Sequence, residues 1–82
     1  MSIEDIFQTM RELVADHFEM QPEEITMESD FEGDLGADSV DVVELIMSVE
    51  DTFEVGETPE EVVTTLKTVG DVVNYIAGKL AD

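Results

Sequence analysis

The chain has 82 residues, enough for one domain, and at that size folding removes only about 60% of the unfolded surface from water. Acidic residues outnumber basic ones 22 to 3, a net charge of -19 that makes nucleic acid and anionic membranes poor partners, while 43% hydrophobic content argues against a disordered acidic tail. Cysteine is absent, which removes a disulfide framework and a thiolate nucleophile. No apolar stretch approaches the roughly 18 residues of a membrane span, and "MSIEDIFQTM" lacks the basic flank of a secretory signal, so the expectation is a soluble, cytoplasmic monomer forming a single domain over residues 1–82.

The first predicted element is a helix over about residues 3 to 18. Ile3, Ile6, Phe7, Met10, Leu13, Val14 and Phe18 recur at intervals of three and four, and Ser2 with Asp5 resembles a capping box. His17 falls on or beside this stripe and reads as a partly buried structural residue. The long connection "EMQPEEITMESDFEGDLGA" contains Ile25, Phe31 and Leu35, apolar enough to pin an ordered loop to the core. A second helix runs from about Ser39 to Asp51 or Phe53, with Asp38 as N-cap and Asp41 at N3. A short third helix follows "VGETPEE": Thr58 can cap it, Pro59 suits its first position, and Val62, Val63 and Leu66 offer an apolar face. Thr68 and Asp71 look like a box opening a fourth helix, whose Val69, Val72, Val73, Ile76 and Leu80 share one side. No strand alternation competes, and the expected fold class is an all-α four-helix bundle of three longer helices and one short one.

The second helix has two apolar faces. At about 100° per residue, Val42, Leu45, Ile46, Val49 and Phe53 form the core stripe, while Val40, Val43 and Met47 lie opposite, interleaved with Glu44 and Asp51. Either loops cover this second face or it docks partners. Met47 suits docking because a flexible thioether adapts to several surfaces, and the carboxylates would select basic ones. Ser39 stands between Asp38 and Asp41, where a simple capping role is the plain explanation. A Ser-His-Asp site would need His17 as base, and the surrounding acids would oppose alkoxide formation. Asp30, Glu32, Asp34, Asp38 and Asp41 are spaced like calcium ligands, but Leu35 stands where that loop needs glycine and Asp41 is short for the last position. No residue is assigned to a metal, although divalent cations should gather weakly near these acids.

"DLGADSVDVVELIMSVEDTF" resembles the signature of the acyl carrier proteins, and the resemblance extends from "IEDIF" to "VVNYIAGKL". GADS, VEL, the preceding SDF and the later YI stand in the family's order and spacing. The resemblance implies a discrete carrier rather than an enzyme, with covalent 4'-phosphopantetheine from coenzyme A on Ser39, attached by a carrier-protein transferase (holo synthase) that uses a divalent metal. It implies acyl intermediates held as thioesters for fatty acid synthesis enzymes with basic docking patches. By the same resemblance Glu44, Met47, Glu50 and Asp51 would face partners, joining Val40 and Val43 from the spacing and the adjoining Asp38, and Phe31, Leu45, Val49, Leu66, Val72 and Ile76 would line an acyl pocket. Val40 departs from the family's usual leucine by one methylene. "FEVGETPEEVVTTLKTV" is one residue longer than usual and lacks the common isoleucine-proline, which leaves the register of the third helix open. The alternatives are a polyketide carrier and, from another class, an acidic calcium-binding module.

Overall fold

A computed structural model of the chain describes residues 2–81. Helix α1, Ile3–Phe18, opens where Ser2 Oγ accepts the Asp5 N–H at 3.1 Å. Only this half of the expected box forms among the described residues. Glu4 and Asp5 in the first turn complement the helix dipole. Helix α2, Ser39–Phe53, has the full reciprocal cap: Asp38 Oδ1 accepts the Asp41 N–H at 2.9 Å and Asp41 Oδ2 accepts the Asp38 N–H at 3.2 Å. Helix α4, Val69–Ala81, opens the same way, with the Asp71 N–H on Thr68 Oγ1 and the Thr68 N–H on Asp71 Oδ2, both at 3.1 Å.

Between α2 and α4 lies α3, Glu60–Val63. Its start differs from expectation. Pro59 occupies the N-cap, one residue before the helix, and no side chain caps it. Thr58 is instead buried, and its N–H donates to Glu50 Oε2 at 2.5 Å. The helix ends after one turn because Thr64 and Thr65 turn their hydroxyls back onto the carbonyls of Glu61 and Val62, at 2.8 and 2.7 Å, competing with further helical bonding. Leu66 therefore lies beyond the helix, yet it is buried.

The α1–α2 connection is as ordered as its apolar residues predict. It contains a 3-10 turn, Pro22–Glu24, for which the hydrophobic pattern gives no sign. Ile25 and Phe31 are buried, and Leu35 packs against the core while half-exposed. Arg11 lies over the Phe7 ring at 4.8 Å and donates to the Ile25 carbonyl through Nε at 3.2 Å and Nη2 at 2.9 Å. Farther along, the loop is laced to the start of α4. Val69 N–H donates to Ser29 O at 3.0 Å and Gly70 N–H to Met27 O at 2.8 Å, so two loop carbonyls satisfy donors that a helix start leaves free, while Phe31 N–H donates in return to Lys67 O at 3.0 Å. A Cβ at position 70 would stand 2.8 Å from the Met27 carbonyl oxygen, and this close approach is why glycine is there. The isolated bridge Asp30–Thr68 belongs to this lacing and is not a strand.

Helix α1 packs against α4 and α2. The core takes Ile6, Met10 and Val14 from α1, Leu45, Ile46, Val49 and Phe53 from α2, and Val69, Val72, Val73 and Ile76 from α4. The architecture is the expected helical bundle, three long helices and one short. Two stripe residues depart from the pattern: Ile3, first in α1, is 46% exposed and Leu80, next to last in α4, 38%. No helix among the described residues is long and apolar enough to cross a membrane.

Candidate functional site

Four consecutive residues place Ser39. Gly36 takes φ +66°, a left-handed turn that a side chain would strain. Ala37 is then tucked into the core, with its N–H on the Phe31 carbonyl at 2.8 Å. Asp38 caps, in extended conformation, and Ser39 becomes the first residue of α2, exposed to solvent. The hydroxyl is thus held out from a helix start whose own cap is supplied by Asp38. Ser39 is not needed as the cap.

Beside Ser39 opens a cavity of about 330 Å³ between α2 and α3. Its apolar wall is Phe31, Val42, Val43, Val63 and Leu66, and the exposed side chains of Glu32, Glu60 and Lys67 also line it. A larger groove of about 810 Å³ continues along the same two helices, sharing Val43, Glu60 and Val63 and adding Ile46, Met47, Glu50 and Asp51.

Of the six residues expected around an acyl chain, Phe31 and Leu66 line the cavity. Leu45, Val49, Val72 and Ile76 lie at 0–1% exposure in the core and outside its present wall. Val42, Val43 and Val63 take their place in that wall. The spacing from Ser39 carries the signal for the first two: positions three and four residues on cover the same side of the helix. Val63 has no such signal, since its placement depends on the open register of α3.

The outer face of α2 is where the spacing puts it. Val40 and Met47 are each 61% exposed and Val43 47%, with Glu44 and Asp51 exposed among them and Asp38 at the near end. Glu50 differs from the rest of the predicted partner face. It is half-buried, and one carboxylate oxygen is committed to the Thr58 N–H. Its side chain serves the α2–α3 connection.

Four of the five carboxylates of the calcium-like spacing, all but the exposed Glu32, are engaged with backbone. Asp30 Oδ1 accepts the Gly33 N–H and Asp34 Oδ2 the Asp30 N–H, both at 2.8 Å, while Asp38 and Asp41 are the cap pair. Asp30 and Asp34 thus organise the loop's own backbone, and the geometry is not that of a calcium loop. The wall beside Ser39 contains no histidine among the described residues, and His17 is placed near Asp41 and Glu44.

The family described as "Phosphopantetheine attachment site" matches residues 8–76. The chain is 52% identical over 71 residues to the acyl carrier protein of Clostridium perfringens (strain SM101 / Type A), covering 87% of this chain and 92% of that protein. This chain belongs to the acyl carrier protein family. The acyl carrier protein of Lactobacillus acidophilus is 46% identical over 76 residues, 93% of this chain and 94% of that one. A solved structure of the acyl carrier protein from Enterococcus faecalis superposes with a TM-score of 0.78 at 30% identity, covering 96% of this chain and 99% of that one. The chain is a carrier and not an enzyme, and its prosthetic group is phosphopantetheine. The residues by Ser39 fit such a group: an exposed hydroxyl for attachment, and next to it an apolar cavity for what the group carries.

Proposed function

We propose that Ser39 is the attachment residue and that the chain is a discrete, monomeric, cytoplasmic carrier serving the enzymes of fatty acid synthesis. The observation that carries the reading is an exposed serine hydroxyl at the mouth of the 330 Å³ apolar cavity, on a helix start already capped by Asp38. When bound, the prosthetic group supplies the terminal thiol on which an acyl chain is held as a thioester, which a chain without cysteine cannot supply itself. The protein's own residues do the rest. The N-terminus of α2 favours a phosphodiester on the Ser39 oxygen because its free N–H groups and dipole present positive charge there. Phe31, Val42, Val43, Val63 and Leu66 keep water from an apolar chain, and Leu45, Val49, Val72 and Ile76 lie in the core as the floor a longer chain would press against.

Partner enzymes, the carrier-protein transferase first among them, dock on Val40, Val43 and Met47 with basic rims opposite Asp38, Glu44 and Asp51. The net charge of -19 speeds that encounter. Incubation of the purified chain with coenzyme A, magnesium and a carrier-protein transferase, followed by intact mass spectrometry, tests the attachment. Wild type gains one phosphopantetheine mass and Ser39→Ala gains none while keeping its helical circular dichroism. Modification of the alanine variant sinks the assignment.

A further inference from the structure

We propose that His17, Asp41 and Glu44 form a binding site for a divalent transition-metal ion of the zinc class, joining the end of α1 to the start of α2. One ligand atom from each of the three side chains lies within 4.8 Å of the others. His17 stands in the last turn of α1, and Asp41 and Glu44, three apart on α2, share one face of that helix. A tetrahedral ion with bonds near 2.0–2.2 Å holds its ligand atoms roughly 3.4 Å apart. Glu44 is exposed and His17 only half-buried, so side-chain rotation is available to narrow that gap.

The ligand set selects the ion. Magnesium and calcium are bound through oxygen, whereas an imidazole nitrogen beside two carboxylates suits zinc, copper or nickel and leaves a coordination position for water. Asp41 is already oriented for the task. Its Oδ2 accepts the Asp38 N–H at 3.2 Å, which fixes the carboxylate plane as backbone donors commonly do behind a metal ligand. Charge points the same way. The chain has only three Lys and Arg residues, and each has its place elsewhere: Arg11 on the Ile25 carbonyl, Lys79 over the Tyr75 ring at 5.7 Å, Lys67 in the wall beside Ser39. The two carboxylates therefore meet no basic side chain of their own, and a cation supplies what the sequence leaves out.

The consequence for docking rests on the carrier reading: an ion held by Glu44 removes negative charge from the face offered to basic partners, five residues from Ser39. The site itself does not depend on that reading and is tested on the protein alone. Zinc chloride is titrated into wild type, His17→Asn and Glu44→Gln in a non-chelating buffer near neutral pH, followed by calorimetry and by the imidazole resonances of the single histidine. Wild type is expected to bind one zinc, shift its imidazole resonances and melt at a higher temperature. Since losing even a group behind a ligand weakens metal binding about 10–100-fold, each variant should bind at least about tenfold more weakly. Magnesium at the same concentration should leave the imidazole resonances in place. Glu44 is a surface residue, so its glutamine variant keeps its fold and isolates the lost ligand if His17→Asn proves unstable. Zinc bound equally by wild type and Glu44→Gln, imidazole resonances that do not move, or no binding by wild type overturns the site.

Discussion

Helices α2 and α3 face each other across the cavity beside Ser39, and they are built in opposite ways. Helix α2 opens on a reciprocal cap and sets Leu45, Ile46, Val49 and Phe53 into the core. Helix α3 has four residues, no side-chain cap and no buried residue of its own. A single helical turn does not persist by itself, because nucleation costs more than one turn returns. The wall formed by α3 is held from outside, by buried Leu66 after it and by the Glu50–Thr58 contact before it. The difference teaches which side of the cavity is platform and which is gate. Ser39 and the exposed strip of α2 stand on the well-capped side, and if the cavity enlarges the other side is expected to yield.

The largest expected effect comes from cutting the platform. Leu45 is fully buried, and Leu45→Ala should cost about 2–5 kcal/mol in urea unfolding, enough to leave a domain of this size largely unfolded. Val63→Ala removes a half-buried group from the gate and should cost about 1 kcal/mol or less. Equal losses at the two positions would break the comparison.

Glu50→Ala sharpens it from the other side. The variant leaves the N–H of buried Thr58 without its carboxylate, a loss of about 1–2 kcal/mol. The loss should appear locally: amide exchange over residues 58–66 accelerates while the amides of α2 keep their protection. Uniform acceleration along the chain would mean that α3 is part of the cooperative core and no gate. This measurement is made on the carrier without partners, because Glu50 also lines the groove along the proposed docking face.

The same contrast explains what was legible in the sequence. Helix α2 could be read in start and register, with its end at Asp51 or Phe53, because cap, acid at N3 and apolar stripe all pointed to the same register. Helix α3 could not. Thr58 and Pro59 look like a cap and a first residue, but Glu50, eight positions earlier, takes the Thr58 N–H and shifts the start by one. Contacts of that range leave no periodic trace. The lacing of the loop to α4 through Met27, Ser29 and Lys67 carbonyls is equally silent, since a backbone acceptor has no residue type, and only Gly70 hints at it. The site divides along the same line. The exposed strip of α2 follows from spacing within one helix, whereas Ser39 stands out only through the motif around it, since its residue type and position alone suggest no more than a cap. The meeting of His17 with Asp41 and Glu44 depends on how α1 crosses α2, which spacing within one helix does not give.

The smallest effect on folding, and the most discriminating for the platform, is expected from Glu44→Lys. Glu44 is exposed on the side of α2 away from its core stripe, so the substitution should change stability by no more than about 0.5 kcal/mol in thermal melts followed by circular dichroism. Binding should change far more. A basic partner rim that is drawn to this face in wild type meets a lysine instead, and association with a transferase or condensing enzyme should slow, most at low ionic strength and least where the Debye length has fallen to a few ångströms. The comparison is made with a chelator present, so that any metal at Glu44 does not enter. Met47→Ala should separate from it in kind: the 61% exposed thioether contributes contact area and no charge, so dissociation quickens with little dependence on salt. Stopped-flow binding across a salt series distinguishes the two. If Glu44→Lys binds as wild type at low salt, the rigid side of the cavity is not the docking side, and partners approach the carrier over α3.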